Sequence, residues 1–282
     1  MKRRAFGKTG EMLPVIGQGT WDMPESGRRM AEAQRALRRG IELGMTHLDT
    51  AEMYGSGRVE ELLGEAIRGI TRQSLFITTK VLPSNATYRG TLAAAERSIA
   101  RMQCGYLDLY LLHCPGSHPI EETMRACDAL VVQGKSRFVG VSNFDTAEML
   151  EAASHLRTTA LACNQVLYHL CERGAEHELI PAARKHGIAI VAYTPFGRGR
   201  FLRSTAHRDL LEQIGRRHSA TPHQVALAFL ARQAGLFTIP KASTVAHVEE
   251  NAGAGRLRLD EGDLAAIDAA FPVGQPGPLA TL

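Results

Sequence analysis

Residues 46–55, THLDTAEMYG, read as the end of a buried strand running into a loop. Asp49 stands where the strand stops and Tyr54 follows on the loop, so a carboxylate and a phenol leave the core together. Alone the pair says little, because such residues are common in the turns after strands. It gains meaning from two later strands, LFITTK at 75–80 and LDLYLLH at 107–113, which end in Lys80 and His113. Both fold and chemistry turn on whether these strands are neighbours.

Outward from this stretch, strands alternate with helices. Residues 4–14 read as a hairpin around Lys8-Thr9-Gly10, and residues 15–20 (VIGQGT) as a first buried strand closed by Trp21. A helix over 28–43 stops at Gly44, which suits the position just past a helix end. In the next helix Val59, Leu62, Leu63, Ala66 and Ile67 fall on one face, a core-facing stripe. Helices are predicted over 89–103, 119–133 and 173–186, with one more opened by the Asp145 and Glu148 capping pair. Strands are predicted at 137–142, 160–165, 188–193 and 237–240. Extra helices crowd the C-terminal part: 207–218, 221–234 behind Thr221-Pro222, one from Thr244, and one from Asp260 to about Ala270.

Eight strands in such alternation, with roughly 30 residues per unit in the first half, point to βα units. Their near-continuous apolar cores suit a parallel sheet covered on both faces. The expectation is a single (β/α)8 TIM barrel over 1–282, with an N-terminal β-hairpin at 1–14, extra helices near the C-terminus and a loose tail at 272–282. An open dinucleotide-binding sheet would carry GxGxxG after a strand. The nearest matches place Glu60 and Leu202 where the third glycine belongs.

Composition narrows the function. Hydrophobic content of 44% and charged content of 22% are those of an ordinary soluble protein. No apolar run approaches the roughly 20 residues of a membrane span, and no apolar segment follows the basic start as in a secretory signal. Five cysteines without CxxC spacing read as reduced thiols, which points to the cytoplasm. The histidines are scattered and there is no HExxH, so no metal is expected. Basic residues form no long run, and nucleic acid is not an expected partner. Polar outer helix faces suggest a monomer acting on a small molecule.

In a (β/α)8 barrel the active site lies at the C-terminal ends of the strands. Neighbouring strands are about 4.8 Å apart, so Asp49, Lys80 and His113 would end within on the order of 10 Å, with Tyr54 folding back over them. Singly, each has a plain structural reading: a strand-end cap, a snorkelling lysine, a core-edge histidine, a packing phenol. Together they suit proton transfer to an oxygen gaining negative charge. The Lys80 ammonium is expected to lower the Tyr54 pKa, and Asp49 to hold Lys80 charged. No nucleophile or metal ligand is evident, so the electrons must come from a cofactor.

With these residues stand VIGQGTW (15–21), GVSNF (140–144), NQVLYH (164–169), AYTPFGRG (192–199) and IPKAS (239–243). In this order the motifs resemble the aldo-keto reductases over almost the whole chain, and most of all the short bacterial members that reduce methylglyoxal and 2,5-diketo-gluconate. The resemblance implies NADPH-dependent reduction of carbonyls, with Asp49, Tyr54, Lys80 and His113 as the catalytic tetrad and Tyr54 as general acid. It implies cofactor contacts from Thr20 and Asp49, from Ser142, Asn143 and Gln165 to the carboxamide, and from Tyr193 stacked on the nicotinamide. Residues 194–199, beginning with Thr194, Pro195 and Phe196, would lie along the pyrophosphate. Lys241, Ser243 and Thr244 would face the 2′-phosphate, with His247 nearby and Asn251 at the adenine. Trp21, Tyr54, His113 and Cys114 would line the substrate pocket.

Three departures from the family pattern matter. His247 stands where many members have an arginine for the 2′-phosphate, which leaves NADH use open. Cys114 replaces a frequent tryptophan, and the short tail predicts an open pocket with broad specificity. A nucleotide-binding regulatory subunit or redox sensor is the second reading, but no interaction arm is visible. A metal-dependent barrel hydrolase would need HxH on the first strand, which instead reads VIGQGT.

Overall fold

Apolar strands separated by amphipathic helices pair in chain order in the computed structural model, which describes residues 1–282. β1 (Arg3–Ala5) and β2 (Met12–Pro14) form an antiparallel hairpin. Then come β3 (Gln18–Gly19), α1 (Gly27–Glu42), β4 (His47–Asp49), α2 (Arg58–Ile67), β5 (Phe76–Val81), α3 (Tyr88–Met102), β6 (Leu107–Leu112) and α4 (Ile120–Val132). The second half carries β7 (Ser136–Ser142), α5 (Thr146–His155), β8 (Leu161–Leu167), α6 (Leu179–His186), β9 (Ala189–Tyr193), α7 (Thr205–His218) and α8 (Pro222–Leu230). β10 (Leu236–Thr238), α9 (Val245–Ala254) and α10 (Glu261–Ala270) complete it.

β3 to β10 form one eight-stranded parallel sheet. Its ends meet: Ile16 bridges Thr238 and Gly19 bridges Lys241, both parallel, and the Gly17 amide donates to the Thr238 carbonyl at 2.8 Å. The sheet is therefore a closed (β/α)8 barrel with no free edge. The first strand is shorter than the predicted residues 15–20. Val15 and Gly17 bond toward β10, the Val15 amide bonds to the Lys2 carbonyl, and pairing with β4 starts only at Gln18.

Two apolar layers hold this ring. Inside lie Phe76, Leu109, Leu111, Cys163, Val191 and Phe237, all buried. Phe6, in the hairpin turn, closes the bottom, its ring centroid 5.5 Å from Phe76 and 5.0 Å from Phe237. Outside, a larger cluster packs the helices onto the sheet, including the predicted stripe of α2.

The helix starts follow local chemistry. Asp145, Thr221 and Asp260 each form a complete capping box, and Thr244 caps α9. Gly44 takes φ of 91°, a left-handed conformation that ends α1. Two predicted helices are shorter than expected. The 173–186 segment breaks into a 3-10 turn, Gly174–Glu176, and α6, because Pro181 cannot donate to a preceding turn and is tolerated only near a helix start. α8 stops at Leu230 rather than 234, and the Arg4 guanidinium takes the carbonyls of Ala231, Arg232 and Gln233. The tail has no regular structure and is mostly exposed, but Leu279 packs on the core and Leu282 lines the cavity at the barrel mouth.

Candidate active site

Parallel register brings the ends of β4, β5 and β6 side by side, with Asp49 opposite Thr78 and Lys80 opposite Leu111. Lys80 is fully buried, and its ammonium has as many acceptors as donors. It donates to Asp49 Oδ1 at 2.5 Å, to the Thr50 carbonyl at 2.8 Å and to Tyr54 Oη at 3.4 Å. The second Asp49 oxygen accepts from Gln165 Nε2 at 2.7 Å, and Thr20 Oγ1 donates to the Asp49 carbonyl at 2.9 Å. The His113 ring meets Tyr54 edge-on, with centroids 5.7 Å apart. The four residues expected together do converge.

Burial sets their proton states. It opposes charge on Lys80, yet Asp49 and Tyr54 hold the ammonium above its ordinary pKa. Burial also raises Asp49, against the pull of Lys80 and Gln165. Tyr54 moves opposite to the expectation from sequence. Its burial outweighs the Lys80 charge and raises the pKa, so the phenol keeps its proton at neutral pH. His113 is pushed down to about 3 by burial and then by Lys80, and is a neutral imidazole.

These groups open onto a cavity of about 330 Å³ lined by Asp49, Tyr54 and His113, and by Thr20 and Trp21 from the first βα loop. Ser142, Asn143 and Gln165 form its polar wall, and Tyr193, Thr194, Pro195 and Phe196 its far side. Tyr193 Oη donates to Asn143 Oδ1 at 2.7 Å, and Asn143 Nδ2 donates to the His113 carbonyl at 3.1 Å. Asn143 and Thr194 both hold left-handed backbone, with φ of 63° and 51°. For the β-branched Thr194 this is strain of about 1–3 kcal/mol, held at the cavity wall.

Lys241 and Asp22 line this cavity and also a second one of about 400 Å³, which contains Ser243, Thr244, Arg29 and Glu32. The two form one groove from Tyr54 to the start of α9. Four expected site residues do not line it, and Lys80 is one, fully buried behind Asp49 and Tyr54. Cys114 sits half-buried beside His113, His247 is exposed on α9 with its amide tied to the Thr244 cap, and Asn251 is buried in α9. Sequence reasoning missed Asp22, Met53, Ile239 and Leu282 on the first cavity and Arg29 on the second. Asp22 adjoins Trp21, Met53 lies within THLDTAEMYG and Ile239 within IPKAS, so proximity to motifs offered a clue. Nothing in the sequence marks Leu282 or Arg29.

A closed parallel barrel carries a lysine–carboxylate–phenol set and a neutral histidine at its C-terminal mouth, groups able to exchange a proton with an oxygen. Sequence and structure comparisons identify the class of barrel. The aldo/keto reductase family profile matches residues 15–271, and the chain belongs to this family of oxidoreductases. It is 40% identical over 274 residues to methylglyoxal reductase YeaE of Escherichia coli, covering 96% of each chain. Glyoxal reductase of Bacillus subtilis is 34% identical over 271 residues, covering 95% of this chain and 93% of that protein. The crystal structure of an aldo-keto reductase from Klebsiella pneumoniae in complex with NADPH superposes with a TM-score of 0.92 at 38% identity, covering 100% of this chain and 99% of that one.

Proposed function

We propose that this protein reduces aldehydes and ketones to alcohols with NADPH, and that Tyr54 is the general acid. One observation carries the reading: Tyr54 Oη accepts a hydrogen bond from the buried Lys80 ammonium and lines the cavity. The phenol is thereby left with its own O–H to donate to a bound carbonyl oxygen. The relative crystallised with NADPH and the relatives described as methylglyoxal and glyoxal reductases support it.

The groove suits an extended dinucleotide. Ser142, Asn143 and Gln165 would hold the carboxamide, and the half-buried Tyr193 ring would lie against the nicotinamide. Residues 194–199 would run along the pyrophosphate, and Lys241, Ser243 and Thr244 would meet the 2′-phosphate. When bound, NADPH supplies the hydride. Tyr54 gives its proton to the substrate oxygen, and Lys80 stabilises the phenolate left behind. Asp49 keeps Lys80 charged. The neutral His113 donates from Nε2 to orient the carbonyl, because its buried Nδ1 has no partner and an unpaired acceptor is the better tautomer there.

Trp21 and Met53 make the outer wall, which suits small carbonyls: methylglyoxal-like compounds, aromatic aldehydes, diketo-sugars or keto-esters. The protein acts as one barrel domain and as a monomer. Its five free thiols suit the reducing cytoplasm, and no helix is long and apolar enough to cross a membrane. The test is the initial rate of NADPH and of NADH oxidation with one compound of each class. Turnover with NADPH is expected; none with any class would sink the reading.

A further inference from the structure

We infer that Arg29, on the first turn of α1, is the second cation for the 2′-phosphate of NADPH and sets the preference for NADPH over NADH. The inference rests on the NADPH reading and adds a specificity-determining residue to it. A phosphate monoester carries about −1.5 to −2 charges near neutral pH, more than Lys241 alone can balance. His247, which the family resemblance places at the usual arginine position, does not line the cavity that holds Lys241, Ser243 and Thr244. Arg29 does line it.

Three features single out Arg29. Its guanidinium makes no hydrogen bond or ion pair in the protein, although Glu32 and Asp22 line the same cavity. Arg28 and Arg35 on α1 are likewise exposed and unpaired, but neither lines this cavity. Second, Arg29 stands in the first turn of a helix with no acidic residue there, an unfavourable end for a cation in the free protein. Third, the Arg39–Glu249 pair ties α1 to α9, so the helix bearing Arg29 is held against the helix that Thr244 caps. A planar guanidinium engages phosphate through two parallel N–H bonds, which a lysine ammonium cannot do.

The acidic neighbours sharpen the inference. Glu32 can accept from a ribose 2′-hydroxyl, so without Arg29 the cavity would favour NADH. Arg29 therefore decides which way a mixed site reads.

Titration calorimetry of the intact protein with NADPH and with NADH, without substrate, tests this. For Arg29→Ala, NADPH binding should weaken by about tenfold or more while NADH binding changes by less than about twofold. Arg29→Lys should recover part of the loss, and His247→Ala should leave both ligands nearly unchanged. Equal effects of Arg29→Ala on both ligands, or no effect on either, with an unchanged melting temperature, would overturn the inference. If the unmodified protein binds neither dinucleotide, the NADPH reading itself fails, and the role of Arg29 with it.

Discussion

Lys80 Nζ lies 3.4 Å from Tyr54 Oη and is the donor in that contact, while the same ammonium is anchored to Asp49 Oδ1 at 2.5 Å. The order of this chain matters. The carboxylate fixes the ammonium, the ammonium occupies a lone pair of the phenol, and the phenolic proton is left to face the cavity. A general acid must be protonated before it acts and stabilised after, and one buried lysine serves both needs.

Tyr54→Phe removes the acid and little else, since the ring is kept. Turnover should fall by about 10²–10⁴-fold. Dinucleotide affinity, read by titration calorimetry, should change by less than about twofold. Wild-type turnover in this variant would rule out Tyr54 as the acid.

Lys80→Met leaves the buried Asp49 carboxylate without its partner. Urea unfolding at pH 7 should show a loss of about 3–5 kcal/mol, the usual result of breaking one side of a buried pair. Adding Asp49→Asn should restore part of the stability but no activity. A single variant as stable as wild type would mean that Asp49 and Lys80 are not an ionised pair in the folded state.

The buried histidines make stability depend on acid. His113 and His47 are both pushed from 6.5 down to about 3, by burial first and the Lys80 charge second. With folded pKa values below the unfolded ones, the unfolded chain binds more protons between these limits. Stability should be flat above about pH 7 and fall below pH 6.5, by up to about 1.4 kcal/mol per pH unit for each histidine. Urea titrations at pH 8, 7, 6 and 5 measure this. No rate change near pH 6.5 should be traceable to His113, and a limb there that vanished in His113→Gln would contradict its neutral state.

Gly19 sits where the barrel closes. A Cβ added there would stand 2.5 Å from the Ile239 carbonyl oxygen, a backbone atom that cannot swing aside. Gly19→Ala should lower stability by about 1–3 kcal/mol, seen as a depressed melting temperature. An unchanged midpoint would show that β3 and β10 can separate without loss.

Much of this protein is determined locally, and that part was legible from the sequence. Helix starts at Asp145, Thr221, Thr244 and Asp260 follow from side chains that bond their own backbone three residues on. Strand identity follows from apolar runs, and the meeting of Asp49, Lys80 and His113 follows from parallel order, because neighbouring strands end at one level. Where only tertiary structure decided, the cause was a contact between distant residues or the loss of water. Arg4 ends α8 from the other end of the chain. Burial reverses the shift expected for Tyr54, since desolvation depends on everything packed around the phenol and not on its charged neighbour alone. Leu282 and Arg29 reach the groove only because the barrel closes and α1 packs against α9, and no spacing along the chain records either approach.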